Sequence, residues 1–176
     1  DEERALASYR RSLAAIDVEE DPIGTAQVFG NIGDIHRKLG NFEEAHDYFD
    51  RAMDILSGYE GDELATAFIL GNRGQTFLAE GRSRNAVEYL EQCVAINEEF
   101  ENQQSLAERY INLGEAYAQV GAREKGIDSI RRGIEMASLL MARRVEWLGY
   151  ESLSRLFWKA DDCESAMHYS QQASEL

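Results

Sequence analysis

Small residues recur down this chain at a nearly fixed interval, and that interval constrains the fold more tightly than composition does. Ala5, Ala45, Ala86, Gly126 and Ala166 step by 40, 41, 40 and 40 residues. Four residues beyond them stand Tyr9, Phe49, Leu90, Ile130 and Ser170, and three further on Ser12, Ala52, Cys93, Gly133 and Ala173. Spacings of three and four put these positions on one helical face, so the recurrence predicts five copies of one helix. A self-similar period of about 20–50 residues is the mark of stacked supersecondary units.

A partner helix precedes each of the last four copies. Its small residues are Gly33, Gly74, Gly114 and Ser154, followed three positions later by His36, Phe77, Tyr117 and Phe157. A glycine on one helix can receive bulk from its neighbour while the aromatic fills the space between hairpins. Between the two helices stand Gly40, Gly81, Gly121 and Asp161, where the chain must leave a helix through a left-handed residue. Gly30–Leu56 is the best-formed unit. The expected fold is all-α: antiparallel helix hairpins over 21–60, 61–101, 102–141 and 142–176 after one leading helix within 1–20. A single proline, Pro22, leaves little to interrupt helices. Residues 1–176 form one solenoid on this reading. The leading helix is the second half of a truncated hairpin, as in a fragment of a larger protein. Its apolar face of Leu6, Tyr9, Leu13 and Ile16 is expected to lack a partner and to support homodimerisation.

The pattern resembles the tetratricopeptide repeat. Its signature reads as Tyr110, Leu113-Gly114, Tyr117 and Gly121 in the third hairpin, and as Phe42, Ala45, Phe49 and Ala52 in the first. The period of about 40 exceeds the usual 34 or so. In that respect the chain is similar to the long-helix repeats of kinesin light chains, Leu-Gly-Asn scaffolds and bacterial peptide-sensing regulators. Departures are Arg73 in place of the leucine before Gly74, Gly126 and Gly133 in place of alanines, and Ser154, Asp161 and Ser170 in the last hairpin. Stacking with a constant rotation yields a right-handed superhelical solenoid whose first helices line a concave groove.

The formal charge of −15, from 33 acids against 18 bases, opposes phosphate-rich partners, so neither nucleic acid nor an anionic membrane is expected. No apolar run approaches the roughly 18 residues a membrane span needs. The two cysteines, Cys93 and Cys163, suggest no disulfide framework, and a reducing, cytoplasmic setting is expected. His36, His46 and His168 lack a second histidine or cysteine at metal-ligand spacing. Phosphate loops, nucleophile elbows and dinucleotide fingerprints are absent from the sequence, so no enzyme, metal or cofactor is predicted. The acidic corners at 17–21, 60–63 and 98–101 precede helices, where carboxylates favour the positive end of the dipole; the corner at 141–144 is basic.

The groove remains as the candidate site. Asn31, Asn72, Asn112 and Ser152 each stand two residues before the small residue of their hairpin. Amides both donate and accept, so such a row can hold an extended peptide backbone or bond between helices. Around it lie Arg37 and Lys38, then Phe68 and Gln75, then Glu115, then Arg155, Trp158 and Lys159. Gly30 and Gly71 would admit a ligand backbone, Phe68 and Trp158 would supply apolar contacts, and the basic residues could take a carboxylate. The reading is a non-catalytic peptide- or protein-binding scaffold. The alternative is a sensory or regulatory segment of a larger signalling protein, bacterial if the excess of arginine over lysine reflects its source.

Overall fold

In a computed structural model, residues 2–15, 18–59 and 62–176 are described. Ile16 of the leading face, and Asp17, Glu60 and Gly61 of the acidic corners, lie outside them. Every regular element among the described residues is a helix: α1 (Glu2–Ala15), α2 (Pro22–Lys38), α3 (Phe42–Leu56), α4 (Glu63–Ala79), α5 (Ser83–Glu99), α6 (Gln103–Gln119), α7 (Arg123–Leu139), α8 (Arg143–Trp158) and α9 (Cys163–Ser174). The paired helices fall where the sequence period puts them. Asp21 and Asp62 cap α2 and α4, accepting from the backbone N–H groups of Gly24 and Ala65 at 2.8 Å each. The acids at these two corners therefore begin helices. Pro22 occupies the first turn of α2, where its missing donor is not needed.

The chain divides into two compact units, Asp1–Ile96 and Asn97–Leu176. In each, the two helices of a hairpin meet as the spacing predicts, small residue against large. A Cβ added at Gly33 would lie 2.4 Å from Phe49 Cε1, and one at Gly74 would lie 2.7 Å from Leu90 Cγ. At Gly114 it would meet Ile130 Cγ1 at 2.5 Å and the carbonyl oxygen of Gly126 at 2.6 Å. Phe49, Leu90 and Ile130 are fully buried there. The glycines replacing alanines in α7 have the same cause: a Cβ on Gly126 or Gly133 would press on the Gly114 or Ala107 carbonyl at 2.7 and 2.6 Å. In the last hairpin, where Ser170 offers no bulk, Ser154 instead donates its hydroxyl to the Ala166 carbonyl at 2.9 Å.

The turns are constrained by conformation alone. Gly40, Gly81 and Gly121 have φ of 78°, 76° and 90°, and a Cβ at any of them would meet nothing within 4 Å. Asp161 takes the same left-handed geometry, φ 57°, without being glycine.

One expectation is corrected. The face of α1 is not left open: Leu6 is buried against Ile32 and Ile35 of α2, and Tyr9 and Leu13 pack onto the same cluster. Leu6 is buried, and Tyr9 and Leu13 are half-buried, so the described part of the stripe does have a partner within the chain.

His36 does take the aromatic position of its hairpin, and the structure shows what that position contacts. Its ring stacks on Tyr48 at 5.3 Å, as Phe77 stacks on Tyr89 at 5.2 Å and Phe157 on Tyr169 at 5.5 Å. The imidazole is buried and neither ring nitrogen has a hydrogen-bond partner. Burial depresses its pKa below the ordinary histidine value, opposed by Glu44 and reinforced by Arg10.

Two outcomes follow from this packing. Gly114→Ala should destabilise the protein by about 1–3 kcal/mol, read as a lowered midpoint in urea, because the added methyl meets backbone as well as side chain. Since His36 resists protonation when folded but not when unfolded, stability should fall as pH drops from the ordinary histidine range through its lower folded value. His36→Phe should flatten that limb of a pH series of thermal melts.

Candidate functional site

In the first unit, the predicted groove residues are largely occupied with one another. Arg37 donates to Asp34 Oδ1 through Nε at 3.0 Å and Nη2 at 2.6 Å, and Lys38 Nζ lies 2.6 Å from Asp34 Oδ2. Burial alone would raise the Asp34 carboxyl, but hydrogen bonds from Lys38 and Arg37 outweigh it and hold the group below the usual carboxylate range. Both cations of the island thereby share one carboxylate on their own helix. Gly30 offers no ligand approach: a Cβ there would lie 2.4 Å from Ile69 Cδ1 and 2.8 Å from Phe68 Cε1. Phe68 thus covers α2 from α4 and packs against the core. Asn31 and Gln75 are half-buried, while Asn72 and Gly71 are buried. Arg73, the departure from the repeat signature, reaches Asp50 on α3 at 2.6 Å and lies 5.1 Å over the Tyr89 ring.

The second unit holds a cleft of about 400 Å³ between α6, the start of α7 and α8. Four of the predicted residues line it: Glu115, Ser152, Arg155 and Lys159. Glu115 Oε1 accepts from the Ser152 hydroxyl and from Arg155 Nη2, and the same Nη2 lies 3.3 Å from Ser152 Oγ. One carboxylate therefore ties α6 to α8. Two further wall residues, Arg123 and Leu156, were not anticipated from sequence. Arg123 opens α7, with its guanidinium 5.0 Å over the Phe157 ring. Asn112 is 8% exposed, and its Nδ2 has no hydrogen-bond partner among the described residues. Trp158 is brought elsewhere: it is 49% exposed and lines a different concavity with Met167 and His168.

Outside these surfaces, Tyr110 donates to Glu98, which also receives Arg132 Nη2 at 3.0 Å. Burial, then the carboxylate beside it, pushes the Tyr110 hydroxyl well above its ordinary range. The acid of the 98–101 corner thus fastens side chains and caps no helix. Among the described residues, no group of three or more His, Cys, Asp or Glu side chains is placed to hold a metal ion. No helix described is long and apolar enough to cross a membrane.

The family model described as tetratricopeptide repeat matches residues 1–58 and again 24–99, together more than half of the chain. The chain belongs to the tetratricopeptide repeat family. Its all-α hairpin solenoid is the architecture of a protein-interaction scaffold. No curated protein sequence matches it. Among solved structures, BtubC (BKLC) from P. vanneervenii is similar at 20% identity and a TM-score of 0.80, over 98% of this chain and 72% of that one. A signal-transduction ATPase with numerous domains and a tetratricopeptide repeat sensor, from Pyrococcus horikoshii, is similar at 19% identity and 0.79, over 99% of this chain and 26% of that one. Aspartyl phosphate phosphatase F from Bacillus subtilis follows at 16% and 0.76, over 87% and 40%. At such identities the likeness is one of fold. The chain spans less than half of the last two proteins.

The strength of the Glu115 tie between α6 and α8 is open to direct measurement. A double-mutant cycle of Glu115→Ala and Arg155→Ala should return a coupling of about 0.2–1 kcal/mol in chemical denaturation, since Arg155 is 58% exposed and the pair is screened by solvent.

Proposed function

We propose that this chain is a non-catalytic module that binds a peptide or protein segment in the α6–α8 cleft. The supporting observation is the cleft itself: half-buried Ala118 and Leu156 within a rim of ionisable side chains and exposed Ala160, on the helices where tetratricopeptide hairpins present their first-helix faces. A net charge of −15 argues against nucleic acid or an anionic membrane as the partner, and the reading fits a cytoplasmic setting.

A second reading is favoured by one comparison. The Pyrococcus horikoshii protein is described as carrying a tetratricopeptide repeat sensor within a larger signalling ATPase. On that reading the present chain is a ligand-sensing segment that reports to neighbouring domains.

Filling the cleft tests the first reading. Ala160 is exposed on the rim, so Ala160→Trp should block the cleft and leave helicity unchanged by circular dichroism. Peptides captured from an array by the unaltered protein should bind the variant at least about tenfold more weakly, a difference of about 1.4 kcal/mol. Equal capture by both proteins would move the binding surface away from this cleft.

A further inference from the structure

We infer that the α6–α8 cleft selects an acidic peptide segment, whose carboxylates are received by Lys159 and Arg123. This rests on the reading of the cleft as a peptide-binding surface and adds the chemistry of its occupant.

The argument is one of uncompensated charge. The lining carries three cations, Arg123, Arg155 and Lys159, against one acid, Glu115. That acid is already engaged, because Ser152 and Arg155 both donate to it. Arg155 is engaged with it in turn. Arg123 and Lys159 remain, and neither has an ion-pair partner among the described residues. The ring of Phe157 beneath Arg123 orients the guanidinium without neutralising it. Lys159 follows the last residue of α8, where a cation complements the helix dipole. That complement involves a partial charge, so it leaves most of the ammonium's charge to the solvent or to a ligand.

The contrast with the first unit sharpens the point. There Lys38, the counterpart of Lys159 in the repeat, pairs with Asp34 one turn before it, as does Arg37. In α8 the place of Asp34 is taken by Arg155, whose own pair is to Glu115 on another helix, so no acid stands one turn before Lys159. Lys159 is thereby released.

The start of α7 adds to this. Its N-cap is Ala122, which supplies no side-chain acceptor, and Gly121 and Arg123 on either side of it both line the cleft. An uncapped helix N-terminus leaves donor N–H groups for an anion. The overall charge of −15 does not cancel the local field, because at physiological salt charges beyond about 8 Å are largely screened. The long-range field slows an acidic ligand's approach while the cleft holds it once bound.

The test uses short fluorescent peptides in which alanine alternates with glutamate, glutamine or lysine, read by anisotropy against the whole chain. Two exposed charge pairs, each contributing a factor of about two to three, give the glutamate peptide about a fivefold advantage over the glutamine peptide. The advantage should shrink on raising salt, fall in Lys159→Ala and Arg123→Gln, and turn in favour of the lysine peptide in Lys159→Glu. Equal binding of glutamate and glutamine peptides, both lost in Ala160→Trp, would overturn the acid preference and leave the peptide cleft standing. Glutamate-peptide binding that survives Ala160→Trp would overturn both. Competition by free glutamate as effective as by the peptide would reduce the site to a carboxylate pocket and overturn the peptide assignment.

Discussion

The structure depends on helices within a hairpin approaching until a side chain of one occupies the missing side chain of the other. Phe49 on Gly33, Leu90 on Gly74 and Ile130 on Gly114 are instances of one contact made in the two compact units. Each buries a large apolar group completely, and each forbids even a methyl at the receiving position. Repetition follows from this. A hairpin so paired still exposes an apolar side, and the next hairpin covers it, as Ile69 of α4 and Gly30 of α2 illustrate in the first unit.

A second layer, aromatic and cationic, lies over the first. Tyr48, Tyr89 and Tyr169 each stand three residues after the alanine of their helix and receive the ring of the preceding one. Arginines then lie on the rings: Arg51 over Tyr48, Arg73 over Tyr89, Arg82 over Phe77 and Arg132 over Tyr110. At about 0.5–1 kcal/mol for an exposed pair, these add to hairpin stability without adding apolar surface. The excess of arginine over lysine, which on sequence alone suggests no more than a source, has a structural use here.

The fold was legible because it rests on periodicity, and periodicity survives in one dimension. Gly33 with Phe49, or the left-handed residue at Gly40, Gly81, Gly121 and Asp161, can be paired by counting. The candidate site was legible only in outline, because which charges remain free depends on rotamers and on partners one helix away. Lys38 and Lys159 hold the same place in their hairpins, yet Lys38 closes on Asp34 while Lys159, with Arg155 where Asp34 would be, stays unpaired. Trp158 sits one residue from Lys159 and faces different neighbours, since adjacent helical residues point about 100° apart. The packing of Leu6, Tyr9 and Leu13 onto α2 was missed because the sequence shows an apolar stripe without showing which neighbour covers it. The recurrence of Tyr48, Tyr89 and Tyr169 was available by counting and is the signal that would have located the aromatic layer.

The serine of the last hairpin has its own consequence. Side chains seated on glycines are held by volume, and volume permits small axial slips so long as the gap stays filled. The bond from Ser154 to the Ala166 carbonyl is directional and lies 2.9 Å long within a buried space. It therefore fixes the register of α9 against α8, the helix that carries Arg155.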